Sequence, residues 1–543
     1  MLFLHTLLLT VFAAPQVSFA KTQGKIYGLN IGGWLLSEPW MNPAEWLAMG
    51  GQQCNACSAC IASEWAFVRA YPDTADATFA KHWATWFTKD DVTKIKDLGM
   101  NTVRIPLGYW LVEALVDRST EFYPRGGIKY LTEALGWLKD AGIQVLLDHH
   151  ALPGAQTSGQ QFAGNCTNDP QFYTPYNYHR ALIWTAAMTA VTHLHPNYES
   201  VFALEAVNEP FQDANRTPGY GDFQKAFVET VRLMELVLGV YSPDQYAKFG
   251  FSTSDLVSIL ADLEGSDFAS ASANISLSLR DLSAVDSRIF SPNATLAVAE
   301  ALPIVLEIAK ELGMGHIGTW GKFKGKGGPL ETTFMDVTWQ YTGPAANPAD
   351  AAIGPQIYDN HLYYSFGGVA DPNPDAYLRS MCNLNRLQVD EGLGDTPLVF
   401  GEWSVAINFA QTDEFLSIWA DAQKMSYSQG AGWIFWNFKI EDSSYTSALV
   451  DQWSYYKAIE KGYTTKDPSQ YNNASVCDAY RNVATATSSA ALDVIATSAS
   501  SAASSSTGAT PTASTAPASA TSVLLTASSS PAASTSANST STN

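Results

Sequence analysis

Seven apolar runs, each short enough for a single strand and almost unbroken by charge, recur between Ile26 and Phe438. They are IYGLNIGGW from Ile26, NTVRIPL from Asn101, IQVLLDHH from Ile143, VFALEAVNE from Val201, IYDNHLYY from Ile357, PLVFGEW from Pro397 and GWIFWNF from Gly432. Amphipathic stretches with helical spacing lie between them: Asp90 to Leu98, Ile128 to Ala141, Asp222 to Leu238 and Thr412 to Ser428. Strands without polar alternation, separated by helices, predict a parallel sheet covered on both faces. A weaker run at Gly315 to Trp320 brings the count to eight, and eight suits a closed barrel better than an open sheet. The expected fold class is therefore α/β, a (β/α)8 TIM barrel.

Two regions break this rhythm. Residues from about 240 to 312 are rich in Ser, Ala, Leu and Asp and read as an insertion on one side of the barrel. Within them a helix is expected from Leu302 to Leu312, with Pro303 in its first turn. From about Arg481 the chain becomes Ser, Thr, Ala and Pro, a composition that buries too little apolar surface to offset its ordering entropy. Residues 481–543 are thus expected to be a low-complexity stalk or linker. At the other end, an apolar run from Leu2 to Ala14 precedes Ser18-Phe19-Ala20, so residues 1–20 read as an export leader cleaved after Ala20. That assigns 21–480 to the barrel. No other stretch was expected to span a bilayer.

Export changes the reading of the six cysteines, Cys54, Cys57, Cys60, Cys166, Cys382 and Cys477. An even number in an exported chain predicts up to three disulfides with the pairing left open. The alternative, zinc on the CNACSAC cluster, lacks a further ligand pair. Sequons at Asn165, Asn215, Asn274, Asn293, Asn473 and Asn538 suggest surface glycans. A formal charge of −21 argues against nucleic acid and anionic membranes as partners. An uncharged polysaccharide would not be repelled by it. The chain is expected to be extracellular or cell-wall associated, and monomeric.

The candidate chemistry sits at the C-terminal ends of the predicted strands, where barrel active sites are built. Arg104, His150, Asn208, Glu209, His361, Tyr363, Glu402 and Trp436 come from six different runs, a distribution that core packing does not explain. Two carboxyl groups about 5–5.5 Å apart are what glycosidic cleavage with retention requires, one protonated to release the leaving oxygen and one ionised to attack. Glu209 and Glu402 are the pair that converges across the mouth, and Arg104 is placed to keep Glu402 ionised. Each residue alone has an ordinary reading: NEP is common turn chemistry, and a glutamate at a strand end is usually a surface residue. Asp148 and His150 share one strand face and His149 takes the other, which leaves too few convergent ligands for a metal. Glu205 lies deeper and is expected to make a structural ion pair. Among the aromatic residues, 12% of the chain, Trp436 is the expected sugar platform.

The ordered set GLNIGGWLLSEPWM, NTVRIPLGYW, YPRGGIKYL, DHHALPGAQ, AVNEP, YDNHLYY, GEW and GWIFWNFK resembles glycoside hydrolase family 5, in its fungal β-glucanase branches. The resemblance implies Glu209 as acid/base, Glu402 as nucleophile, the other six residues in contact with substrate, a retaining mechanism and no cofactor. EPWM and YPRGGIKYL look most like endo-β-1,6-glucanases; GGWLLSEPW and GWIFWNFK also look like exo-β-1,3-glucosidases. Ala151 and Ala155 depart from the glycine and serine usual in the DHHALPGAQ stretch, which bears on linkage more than on chemistry. Three functions remain open on this reading: a β-glucan hydrolase, a transglycosylase sharing its covalent intermediate, and a glucan-binding protein without activity.

Overall fold

The uncharged runs pair as expected of strands buried on both sides. In the computed structural model, which describes residues 24–240, 290–314, 328–410 and 412–481, eight parallel strands close into a barrel in chain order. They are β1 (Ile26–Asn30), β2 (Thr102–Gly108), β3 (Gln144–Ala151), β4 (Val201–Glu205), β5 (Glu331–Met335), β6 (Gln356–His361), β7 (Leu398–Glu402) and β8 (Gly432–Phe435), and β1 pairs with both β2 and β8. The helices foreseen between strands form within two residues of their expected ends: Lys89–Asp97, Gly127–Ala141, Tyr220–Val237 and Asp413–Tyr427. Local chemistry sets those ends. Thr88 and Asp91 make a reciprocal capping box at the first.

One strand was misplaced. The run at Gly315–Trp320 lies outside the described residues, and the fifth strand is Glu331–Met335. Its sequence, ETTFM, carries a charge and two hydroxyls, so it does not read as apolar, yet all five residues are buried. Part of that polarity is met by hydrogen bonds. Thr332 donates to the Pro355 carbonyl, and the neighbouring Leu330 N–H donates to Glu235.

The helix expected at Leu302–Leu312 is also corrected. A helix runs from Pro292 to Glu311, capped by Ser291, whose hydroxyl accepts from Ala294 N–H, so it starts ten residues earlier than expected and Pro303 falls in its interior. It packs against helices Pro175–Leu194 and Tyr220–Val237 and so belongs to the barrel's helical shell. By length and composition this helix could cross a membrane, contrary to the expectation that no such stretch exists; half of its apolar window is buried against the protein. Residues 1–23, 241–289 and 482–543 lie outside the described residues, and Asn274 and Asn538 with them. Asn215, Asn293 and Asn473 are exposed, and Asn165 is half-buried.

Inside the barrel the floor is apolar: Ile26, Leu146, Phe202, Ala203, Ile357, Val399 and Ile434 form one cluster. Above it the layer turns polar, with Asn30, Arg104, Asp148, Glu205 and Asp359 buried from five strands. A larger apolar cluster fills the space between strands and helices. All six cysteines pair, as Cys54–Cys60, Cys57–Cys166 and Cys382–Cys477. Cys57–Cys166 ties the excursion after β1 to the loop after β3.

Candidate active site

Strand periodicity carries polar side chains up from the apolar floor. On β3 the inward positions run Leu146, Asp148, His150; on β6 they run Ile357, Asp359, His361. On β7 the same alternation from Val399 would aim Gly401 inward and Glu402 away. The pairing of β6 with β7 corrects this: Asp359 faces Val399 but His361 faces Glu402, so β7 carries one extra residue at this point. Gly401 makes the bulge possible. A Cβ there would lie 2.1 Å from Asp359 Oδ2, and its N–H instead donates to Asp359 Oδ1 at 2.6 Å.

Arg104 is the centre of the network and is wholly buried. Its Nε donates to Glu205 at 2.8 Å, its Nη1 to Glu402 Oε1 at 2.8 Å and Asn30 at 3.1 Å, and its Nη2 to Asn208 at 2.8 Å. Asp148 lies 3.1 Å from Nη2 and Asp359 3.7 Å from Nε. Glu402 also accepts from Tyr363 OH at 2.8 Å. His361 Nδ1 is 2.9 Å from Glu209 Oε1 and 3.6 Å from Glu402 Oε2. His150 Nδ1 contacts Asp148 at 2.5 Å, its Nε2 lies 3.4 Å from Asn208, and its ring stacks on Trp436. All eight residues singled out by sequence therefore meet in one network. One oxygen of Glu209 and one of Glu402 lie within 4.8 Å of each other.

Glu209 holds an unusual backbone, with φ at 40°. Left-handed conformations cost a non-glycine residue energy, and such residues concentrate at functional sites. Trp436 is 4% exposed. Gly32 is what admits it, because a Cβ there would sit 3.0 Å from the indole. His149 points out of the barrel and stacks on Trp184, and Glu205 makes the ion pair expected of it.

Burial pushes the Glu402 carboxyl above its ordinary value; the charges of His361 and Arg104 oppose that shift, and Glu209 adds to it. Burial also works against a charged His361, but Glu402, Asp359 and Glu209 outweigh it and hold the imidazole well above its usual range. His150 goes the other way: burial and then Arg104 lower it to about 3, so it is neutral. Two triads have the spacing of metal ligands, Glu205–Asp359–His361 and Glu209–His361–Glu402. Both depend on His361, and Arg104 already supplies a cation beside Glu205 and Asp359 of the deeper one.

Sequence reading missed several members. Glu38, in the EPWM stretch, is 5% exposed; Trp40 Nε1 donates to one of its oxygens and the other has no hydrogen-bond partner among the described residues. Burial raises it to about 8, and the Glu402 and Glu209 charges push the same way, which places it beside the pair. The signal was available: Glu38 is the only charge between Lys25 and Glu45. Asn30, Asp359 and Trp339 were likewise not singled out.

These buried acids set a stability profile. Glu38 and Glu64 are pushed up to about 8 and Asp395 to about 7, each chiefly by burial. Each binds its proton more tightly folded than unfolded, so its stabilisation is complete below about pH 4 and is lost as pH climbs towards the folded values. His361, raised, acts in the same sense above its unfolded value. His149 and His150, lowered by burial, act oppositely as pH falls below about 6.5. With the acids in the majority, Tm is expected to be several degrees higher at pH 5 than at pH 8. A melt with the higher Tm at pH 8 would contradict these assignments.

Residues 71–235 match the model of the family described as cellulase (glycosyl hydrolase family 5), a span containing Arg104, His150, Asn208 and Glu209. The chain is 28% identical over 483 residues to glucan endo-1,6-beta-glucosidase B of Emericella nidulans, covering 87% of this chain and 93% of that protein. It is 32% identical over 248 residues to the probable glucan 1,3-beta-glucosidase A of Aspergillus fumigatus, covering 44% of this chain and 56% of that one. Among solved structures, that of AoRut shares the fold, with a TM-score of 0.50 at 15% identity over 81% of this chain and 96% of that one. By its barrel, its rim and these likenesses, the chain resembles glycoside hydrolase family 5 in its fungal β-glucanase branch.

Proposed function

We propose that the chain is a retaining β-glucan hydrolase that cleaves β-1,6-glucan by double displacement, with Glu209 as acid/base and Glu402 as nucleophile. The observation that carries the reading is the separation of the two carboxylates. One oxygen of each within 4.8 Å of the other favours the spacing of retaining enzymes, about 5–5.5 Å between carboxyl groups, over the roughly 6.5–9.5 Å of inverting ones.

Glu402 Oε2 attacks the anomeric carbon while Arg104 and Tyr363 hold the carboxylate in place through their two hydrogen bonds. Glu209, the more exposed of the two, delivers its proton to the leaving oxygen. Its bond to His361 Nδ1 gives that proton two positions: on the imidazole with Glu209 ionised, or on Glu209 with the ring neutral. In the second step Glu209 takes a proton from water, which attacks the glycosyl-enzyme ester and frees Glu402. Asn208, whose carbonyl is held by Arg104 and whose amide nitrogen lies 3.4 Å from His150 Nε2, has a second amide N–H to donate to the sugar 2-hydroxyl. His150 and Trp436 line the same sugar site, and the chemistry requires no cofactor.

The full-length likeness to an endo-1,6-beta-glucosidase supports the linkage, and the shorter likeness to a 1,3-beta-glucosidase supplies the second reading. The disulfides and exposed sequons agree with an exported glycoprotein carrying a leader at 1–20, a catalytic barrel at 21–480 and a stalk at 481–543. Equal masses of pustulan and laminarin, followed for reducing sugar, test the linkage. Faster release from the β-1,6-glucan is expected, whereas preference for the β-1,3-glucan would transfer the assignment to the second reading.

A further inference from the structure

The loops that follow β4 and β5 are joined along their length. Ala214 N–H donates to the Thr342 carbonyl and Thr342 N–H to that of Gln212, while Gln340 turns inward, 8% exposed, and donates to Phe211 O and Thr217 Oγ1. The residues on either side of Gln340 do the opposite. Trp339 and Tyr341 are anchored to alternate positions of the neighbouring loop, the indole N–H to Pro210 O at 2.8 Å and the phenol O–H to Gln212 Oε1 at 3.1 Å. Trp339 ends the short 3-10 turn Val337–Trp339 and Gln340 is extended with φ at −95° and ψ at 96°, so the two rings leave the chain two residues apart on either side of the inward-turned Gln340. Tyr341 is 74% exposed, although its hydroxyl is fixed.

The position of this pair gives it a use. The Trp339 ring lies 5.8 Å from that of His361, which contacts Glu209, and Pro210 and Gln212 directly follow Glu209 in the chain. Resting on the proposed mechanism, we infer that Trp339 and Tyr341 form a stacking platform for successive β-linked glucosyl units on the leaving-group side of the scissile bond. Aromatic faces fit the C–H faces of glucose, and rings held by side-chain hydrogen bonds lose little freedom when a sugar arrives. The same platform receives the acceptor sugar if the glycosyl-enzyme is intercepted by glucan rather than water. It therefore sets the balance between hydrolysis and transfer.

Two substrates isolate this side of the cleft. A β-1,6-linked glucohexaose fills it, whereas in β-gentiobiosyl fluoride the leaving group is fluoride, which stacks on nothing. In the full-length chain, Tyr341→Ala and Trp339→Ala are each expected to lower kcat/KM for the hexaose about five- to ten-fold more than for the fluoride. Trp339→Phe, which keeps a ring, recovers part of that difference. With the fluoride as donor and gentiobiose as acceptor, the yield of transfer product falls in both alanine variants. Equal losses on both substrates, or no loss on either with wild-type activity present, would overturn the platform alone. A wild-type chain inert towards both would remove the glucanase reading and the platform with it.

Discussion

Replacing Glu402 with alanine is expected to lower kcat on β-1,6-glucan by roughly four to six orders of magnitude, the scale at which loss of a covalent nucleophile acts. The fold should survive. Glu402 sits at the mouth, and its removal leaves Arg104 still paired with Glu205 and Asn208. Azide separates this role from a generic loss. In Glu402→Ala it enters from the side the carboxylate occupied, so an activated β-glycoside yields the α-glycosyl azide. In Glu209→Ala the nucleophile still acts first, and azide then intercepts the ester to give the β-product. Near-normal turnover by Glu402→Ala, or the same azide anomer from both variants, would remove the assignment of roles.

The second large effect concerns stability. Arg104→Ala takes the guanidinium from a buried layer that holds Asp148, Glu205 and Asp359, with Glu402 above them. Deleting one partner of a buried ion pair costs about 3–5 kcal/mol, because the remaining charges stay buried without compensation. Here several carboxylates face one another across the vacated space, and Asn30 and Asn208 lose a donor as well. Acid relieves the effect, since the carboxyls take up protons. Burial already favours the protonated forms of Asp148 and Glu205, against the pull of Arg104. The fall in Tm relative to wild type should therefore be larger at pH 8 than at pH 5. An Arg104→Ala chain that melts with wild type at pH 8, while losing activity, would mean that Arg104 acts on substrate alone.

The division between what the residues announced and what they concealed has a physical basis. Seven strands were legible because a strand buried on both faces has to be almost continuously apolar, and IYGLN, VFALE and LVFGE satisfy that directly. The fifth was not, because Glu331, Thr332 and Thr333 interrupt the apolar run although all three are buried. Helix Pro292–Glu311 is only partly legible for a related reason: a proline is ordinarily accommodated in a first turn, which favours a start near Pro303, whereas Ser291 and Pro292 supply the actual start. In the site, residues that end an apolar strand stood out by contrast, so Glu209, His361 and Glu402 were found together. Glu38 and Trp339 were not, since they lie on loops whose approach to the mouth depends on tertiary contacts. The inward turn of Glu402 itself was invisible, because it needs a bulge that only the pairing of β6 with β7 reveals.

Trapping the intermediate tests most directly whether Glu209 and Glu402 work as a retaining pair. A 2-deoxy-2-fluoro-β-gentiobiosyl fluoride slows both steps but keeps a good leaving group, so the glycosyl-enzyme accumulates and its peptide is identified by mass. The sugar is expected on Glu402, with its release accelerated by an added glucan acceptor. An adduct on another side chain, or no adduct together with a first-formed product of α configuration, would contradict double displacement through this carboxylate.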